Sequence, residues 1–94
     1  MENKMHYFYV LECADGSYYA GYTNNIEKRI QTHNEGKGAK YTRARRPVVL
    51  RYYEQYETKT EAMQAEYRFK QLKRPEKERI VQIGGYGIEE SKEL

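Results

Sequence analysis

The chain has 94 residues, of which 38% are hydrophobic and 33% charged, with a net charge of +3, enough to bury one small core and little more. It has no run of about 18 apolar residues that could cross a bilayer, and MENKMHYFYV lacks an apolar leader followed by small residues. The single cysteine, Cys13, excludes an internal disulfide and a cysteine metal cluster, so a cytoplasmic protein in a reducing compartment is expected.

Residues 6–13, HYFYVLEC, and 17–23, SYYAGYT, are rich in aromatic and β-branched types. They flank Asp15-Gly16, a two-residue hairpin signal, which predicts two antiparallel strands. Cys13 reads as a small core residue on the first of them. Asn24 or Asn25 stands where a helix needs its N-cap, Glu27 falls in the first turn, and Gly36 suits a left-handed stop. A first helix is therefore expected over residues 25–35. After a basic loop, Pro47 opens VVLRYYEQY, an alternating third strand through about residue 56. Thr58 and Glu61 have capping-box spacing, and TEAMQAEYRFKQLK carries apolar residues at 62, 65, 69 and 72, one face of a long helix. Pro75 suits the first turn of a further helix, PEKERIVQI, which Gly84-Gly85 ends. The expected order is ββαβαα in one mixed α/β domain of the α+β kind, residues 1–83, followed by a flexible tail over 84–94.

Charge is unevenly placed along this order. Residues 36–53 hold Lys37, Lys40, Arg43, Arg45, Arg46 and Arg51 and no acid, in a chain whose net charge is only +3. The remainder is therefore net acidic, and the loop is a basic island with Tyr41, Tyr52 and Tyr53 interleaved. That composition suits phosphates and exposed bases, so nucleic acid is the leading partner. A solvated loop that merely keeps a small protein dispersed has the same composition.

Two helices display chemistry beside their apolar faces. Ile26, Ile30 and His33 follow one helical face, and Arg29 lies four residues before His33 on its flank. A histidine at a helix end also serves as a cap on the last carbonyls. On the long helix Glu66 sits at the edge of the apolar arc, where a carboxylate needs a cation, and Lys70 at i+4 is the ordinary candidate.

The hairpin with Tyr9 and with Tyr19-Ala20-Gly21, the helix bearing Arg29-x-x-x-His33, and the later Glu66 together resemble the GIY-YIG nuclease family over about residues 6–82. The small size and the run HNEGKGAKYTR are similar to its stand-alone bacterial members. The resemblance implies a three-stranded antiparallel sheet flanked by helices, with a metal-dependent phosphodiesterase site on its surface. It implies Tyr9 and Tyr19 as the motif tyrosines and Arg29 as the phosphate-side cation; because the two tyrosines sit on paired strands across a tight turn, their rings are expected to project from one sheet face. His33 follows as a proton-transfer or phosphate-contacting group, and Glu66 as the ligand of a single Mg²⁺, or Mn²⁺. Tyr7 and Phe8 replace the glycine and isoleucine of the first half-motif, and Ala20 the isoleucine of the second.

Such residues answer a chemical need. Cleaving a phosphodiester takes an activated water, stabilisation of charge on the nonbridging oxygens and help for the leaving alkoxide. A phenol is a poor base near neutral pH unless a cation lowers its pKa, an arginine fork matches a phosphate, and a carboxylate oxygen suits Mg²⁺. Gly21 lets backbone or substrate approach the second tyrosine closely. The expected substrate is DNA, in repair or processing. Branched or flapped forms are an analogy from the family, and without a DNA-reading domain specificity is low or supplied by a partner protein. Two other functions fit the same residues: a nucleic-acid-binding module without turnover, and an interaction subunit whose tyrosine-rich surface docks a partner.

Overall fold

The computed structural model describes residues 5–84. In chain order come β1 (His6–Glu12), β2 (Tyr18–Thr23), α1 (Ile26–Asn34), α2 (Lys40–Arg43), β3 (Val49–Tyr56), α3 (Lys59–Lys70) and α4 (Arg74–Gly84). This is the expected ββαβαα order with one addition, the four-residue α2 inside the basic loop. The expected tail lies, apart from Gly84, outside the described residues.

The three strands form one antiparallel sheet in the order β2-β1-β3, so β2 is an edge strand. Alternation along β1 divides the interior in two. Phe8 and Val10 face Ala20 and Tyr52 beneath Ala65 and Phe69 of α3 and Val81 of α4. Tyr9 and Leu11 face the other way, with Cys13, Val48 and Leu50, and are covered by Ile26 and Ile30 of α1. Each buried Val, Leu or Phe among them contributes about 1.5–3 kcal/mol, so both layers hold the thin sheet in place.

The hairpin differs from the sequence expectation in a way that matters. Its loop spans three residues, 14–16, closed by Cys13 N–H donating to the Ser17 carbonyl at 2.8 Å and Gly16 N–H donating to the Cys13 carbonyl at 2.9 Å. Gly16 takes the left-handed conformation, φ 87°, and Cys13 is buried just past the end of β1. The resulting register sets Tyr9 opposite Gly21 and Leu11 opposite Tyr19. A two-residue loop over Asp15-Gly16 shifts this pairing by one and sends Tyr19 to the face opposite Tyr9. The third loop residue is what puts both motif tyrosines on the same face.

Helix ends follow their local chemistry. Asn25 caps α1 by accepting from Lys28 N–H, and Thr58 caps α3 by accepting from Glu61 N–H. Beyond α1, Gly36 has φ 85°. Asn34 then buckles α1 to the start of β3: its amide donates to the Val48 carbonyl at 3.1 Å and its oxygen accepts Val48 N–H at 2.7 Å.

Candidate active site

The site straddles the edge strand β2. From one layer come Tyr9, Tyr19 and the α1 residues Arg29 and His33; from the other comes Glu66 of α3. Tyr9 runs across the gap left by Gly21. A Cβ on Gly21 would stand 2.5 Å from the Tyr9 hydroxyl oxygen, so Gly21 makes room for the first tyrosine and not, as the sequence predicts, for an approach to the second. The Tyr9 hydroxyl reaches His33 Nε2 at 3.0 Å.

His33 is buried at the end of α1 and both its ring nitrogens are engaged. Nδ1 lies 2.8 Å from the Thr42 hydroxyl, which itself bonds the Ala39 carbonyl at 3.1 Å. The ring therefore caps no helix carbonyl; Glu35 and Gly36 N–H groups take those of Gln31 and His33. Burial, and secondarily the Arg29 charge, hold the imidazole pKa below its ordinary value, so the ring is neutral near neutral pH. The phenol of Tyr9 moves the other way. Burial and the neighbouring Tyr19 raise its pKa well above the ordinary phenol value, outweighing the lowering effect of Arg29, with Glu66 adding to the rise. A cation beside a tyrosine, expected from sequence to make it more acidic, is here overruled by desolvation.

Tyr19 packs edge-on against the His33 ring, 5.2 Å between centroids, and stacks on Tyr41 at 6.1 Å. Tyr41 is in turn covered by the Arg45 guanidinium, 3.9 Å from its ring centre. Arg45 pairs with Asp15 at 3.0 Å, and its carbonyl accepts Ala14 N–H at 2.9 Å. Two hydrogen bonds from Ser17 hold the Asp15 carboxyl below the usual carboxylate range, with Arg45 assisting. The α2 segment thus ties the hairpin turn to the end of α1, with Tyr41 against Tyr19 and Thr42 against His33. Sequence reasoning assigned no role to Thr42 or to Gly38. A Cβ on Gly38 would stand 2.3 Å from His33 Nδ1.

Arg29 is half-buried and, among the described residues, makes no ion pair. It lines a polar cleft of about 190 Å³ with Thr23, Asn24, Asn25, Lys28 and Thr32. Glu66, its side chain 19% exposed, pairs with Lys70 at 2.7 Å, the i+4 partner expected from sequence. Its charge makes the smallest of the contributions that raise the Tyr9 pKa.

The six cations of the basic island are used unequally. Arg45 pairs with Asp15 and Arg51 with Glu12 at 2.8 Å; Arg51 is the extra residue at the β3 bulge opposite Val10 and Leu11. Arg46 donates to the carbonyls of Arg43 and Asn34. Among the described residues Lys37, Lys40 and Arg43 have no acid partner and are exposed.

Among the described residues no three His, Cys, Asp or Glu side chains converge to enclose a metal ion. Hydrated Mg²⁺ does not require that: it takes one or two carboxylates, keeps several waters and completes its shell with substrate phosphate. The Glu66 carboxylate, 19% exposed and paired with Lys70, would supply one such oxygen ligand on exchanging Lys70 for the ion. No described helix is long and apolar enough to cross a membrane.

Comparison with known proteins shows the family and the fold. The GIY-YIG catalytic domain family matches residues 5–79. A UPF0213 protein of Bacillus cereus is 69% identical over 84 residues, covering 89% of this chain and 88% of that protein. The UPF0213 protein YazA of Bacillus subtilis is 58% identical over 82 residues, 87% of this chain and 83% of that one. Solution structures share the fold. One is a UPF0213 protein of Bacillus halodurans, at 47% identity and TM-score 0.59 over 96% of either chain. Another is a protein of E. faecalis, at 52% identity and TM-score 0.58 over 87% of this chain and 88% of that one. With the motif tyrosines, Arg29, His33 and Glu66 lying inside a family match that spans most of the sequence, the chain belongs to the GIY-YIG nuclease family.

Proposed function

We propose that the protein is a Mg²⁺-dependent endonuclease of the cytoplasm that hydrolyses DNA phosphodiesters, with Mn²⁺ as a substitute ion. Branched or flapped DNA is its preferred substrate, in repair or processing, with a partner protein supplying specificity. The observation that carries this is the buried 3.0 Å contact between the Tyr9 hydroxyl and His33 Nε2, with Arg29 and Glu66 both acting on it.

A phenol whose pKa is raised does not wait as a phenolate. Tyr9 works by concerted transfer: its oxygen takes a proton from water while its own proton passes to the neutral imidazole. The oxygen of that water attacks phosphorus as the P–O bond to the leaving oxygen breaks, and the departing alkoxide takes up a proton from solvent. Arg29, without a carboxylate partner among the described residues, places its planar fork on the nonbridging oxygens. Tyr19, held between His33 and Tyr41, orients the water or a phosphate oxygen. Glu66 would hold the ion, which would supply Lewis-acid polarisation of the phosphoryl group. Lys37, Lys40 and Arg43 contact flanking phosphates, Arg46 and Arg51 reach them from their rims, and Arg45 braces the loop.

Single-turnover cleavage of a branched DNA duplex, with and without Mg²⁺, tests this function. The Lys70 pair that occupies Glu66 favours the second reading, a binding module without turnover, for which affinity survives and cleavage is absent.

A further inference from the structure

We propose that Thr42 is a positioning residue that fixes His33 as the Nδ1–H tautomer and so leaves Nε2 free to receive the Tyr9 proton. This rests on reading Tyr9 and His33 as a proton-transfer pair.

Hydrogen counting assigns the direction. Three hydrogens belong to the chain of contacts: the Tyr9 O–H, one imidazole N–H and the Thr42 O–H. The contacts run from Tyr9 to His33 Nε2 at 3.0 Å, from His33 Nδ1 to Thr42 at 2.8 Å, and from Thr42 to the Ala39 carbonyl at 3.1 Å. A carbonyl only accepts, so the Thr42 hydrogen goes to Ala39. The Thr42 oxygen then accepts from Nδ1–H, Nε2 carries a lone pair, and Tyr9 donates to it. All three hydrogens are satisfied. In the opposite direction Thr42 donates to Nδ1 and Nε2–H donates to Tyr9, leaving the Tyr9 hydrogen with no acceptor among the described residues. Tyr9, His33 and Thr42 are 2%, 1% and 0% exposed, so in the site without substrate and its attacking water, solvent does not offer an easy replacement.

The surroundings hold the arrangement in place. Thr42 bonds back to the carbonyl three residues earlier, a habit of threonine in helices, and α2 exists to present it. The Gly38 backbone lies flat against the imidazole, which keeps Nδ1 aimed at the hydroxyl. Thr42 acts through His33 and touches no substrate, in the way that a histidine's second nitrogen sets which nitrogen is available for chemistry.

The test is the imidazole spectrum of histidine-¹⁵N-labelled protein without metal or nucleic acid, at a pH where His33 is neutral. His6 signals are identified by their loss in His6→Asn. Wild type should show a protonated Nδ1 and an unprotonated Nε2 for His33. Thr42→Val should shift population toward the Nε2–H form, and Thr42→Ser should restore the wild-type pattern. Thr42→Val should also slow single-turnover cleavage by about 10-fold or more, with Thr42→Ser near wild type. An Nε2–H tautomer in wild type, or a Thr42→Val spectrum identical to wild type, would overturn the proposal. Should Thr42→Val not fold, Thr42→Cys, whose thiol is a weak acceptor, takes its place under the same criteria. The spectrum is independent of turnover: a wild type that cleaves nothing sinks the nuclease function and leaves the tautomer to be judged by its own signals.

Discussion

Gly21 lies directly across the β1–β2 ladder from Tyr9, and the tyrosine side chain occupies the space a Cβ there would need, 2.5 Å from its hydroxyl and 2.7 Å from Cζ. Gly21→Ala should therefore swing Tyr9 off His33. We expect a loss of about 1–3 kcal/mol from overpacking and a fall in cleavage. In a Tyr9→Phe background the same substitution should cost less, because the nearest atom is gone; equal melting-temperature losses in both backgrounds would show that Tyr9 is not what requires the glycine.

If Glu66 holds the ion as proposed, its pair with Lys70 opposes metal binding. Their pair contributes about 1 kcal/mol at most, so Lys70→Ala should lower the Mg²⁺ concentration for half-maximal cleavage by up to about five-fold and barely move the melting temperature. An unchanged or higher Mg²⁺ requirement would separate Lys70, and with it Glu66, from the ion.

The basic island divides into exposed cations without an acid partner among the described residues and cations held in internal contacts. Replacing Lys37, Lys40 and Arg43 by alanine should weaken DNA binding similarly across sequences and reduce the slope of log K against log salt by about 0.9 per lost phosphate contact, with the fold intact. Arg45→Ala should instead lower stability and disturb Tyr19 through Tyr41. Binding isotherms over a salt series, with melting curves on the same samples, distinguish the two; an unchanged salt slope in the triple variant would remove those three residues from the interface.

His33 gives stability a pH dependence of predictable sign. Its folded pKa lies below the unfolded value of 6.5, so between the two the unfolded chain binds more protons. The stability of the neutral, buried ring is fully present above about pH 6.5 and is lost as pH falls through the lowered folded value. Melting temperatures from about pH 8 to about pH 4.5 should fall more steeply for wild type than for His33→Gln. Cleavage should fall in the same direction as Nε2 becomes protonated. Parallel melting curves would contradict a histidine held neutral by burial.

Much of this was legible in the sequence, for identifiable reasons. The Ile26, Ile30 and His33 face of α1 and the edge position of Glu66 on α3 follow from helical periodicity and survive into the structure. The hairpin register does not follow from composition, because Asp15-Gly16 reads as a two-residue loop. Only the closure of Cys13 on Ser17 fixes three residues and the shared face of Tyr9 and Tyr19. The four residues of α2 are too few to carry a period. Thr42 has its meaning in a ring nine positions away, and Arg45 in an acid thirty positions away. Gly38 left a faint signal: a glycine with no left-handed turn to make, among cations, marks a close approach.

Cleavage of a branched DNA across a Mg²⁺ titration, by wild type, Tyr9→Phe and Glu66→Gln with melting temperatures recorded on the same samples, tests the central claim most directly. Wild type should cleave in a Mg²⁺-dependent manner. Tyr9→Phe should lose about 100-fold or more. Glu66→Gln should be inactive while still binding DNA, and both variants should remain folded. Cleavage by either folded variant at the wild-type rate, or none by wild type on any DNA or RNA form with Mg²⁺ or Mn²⁺ present, would contradict it.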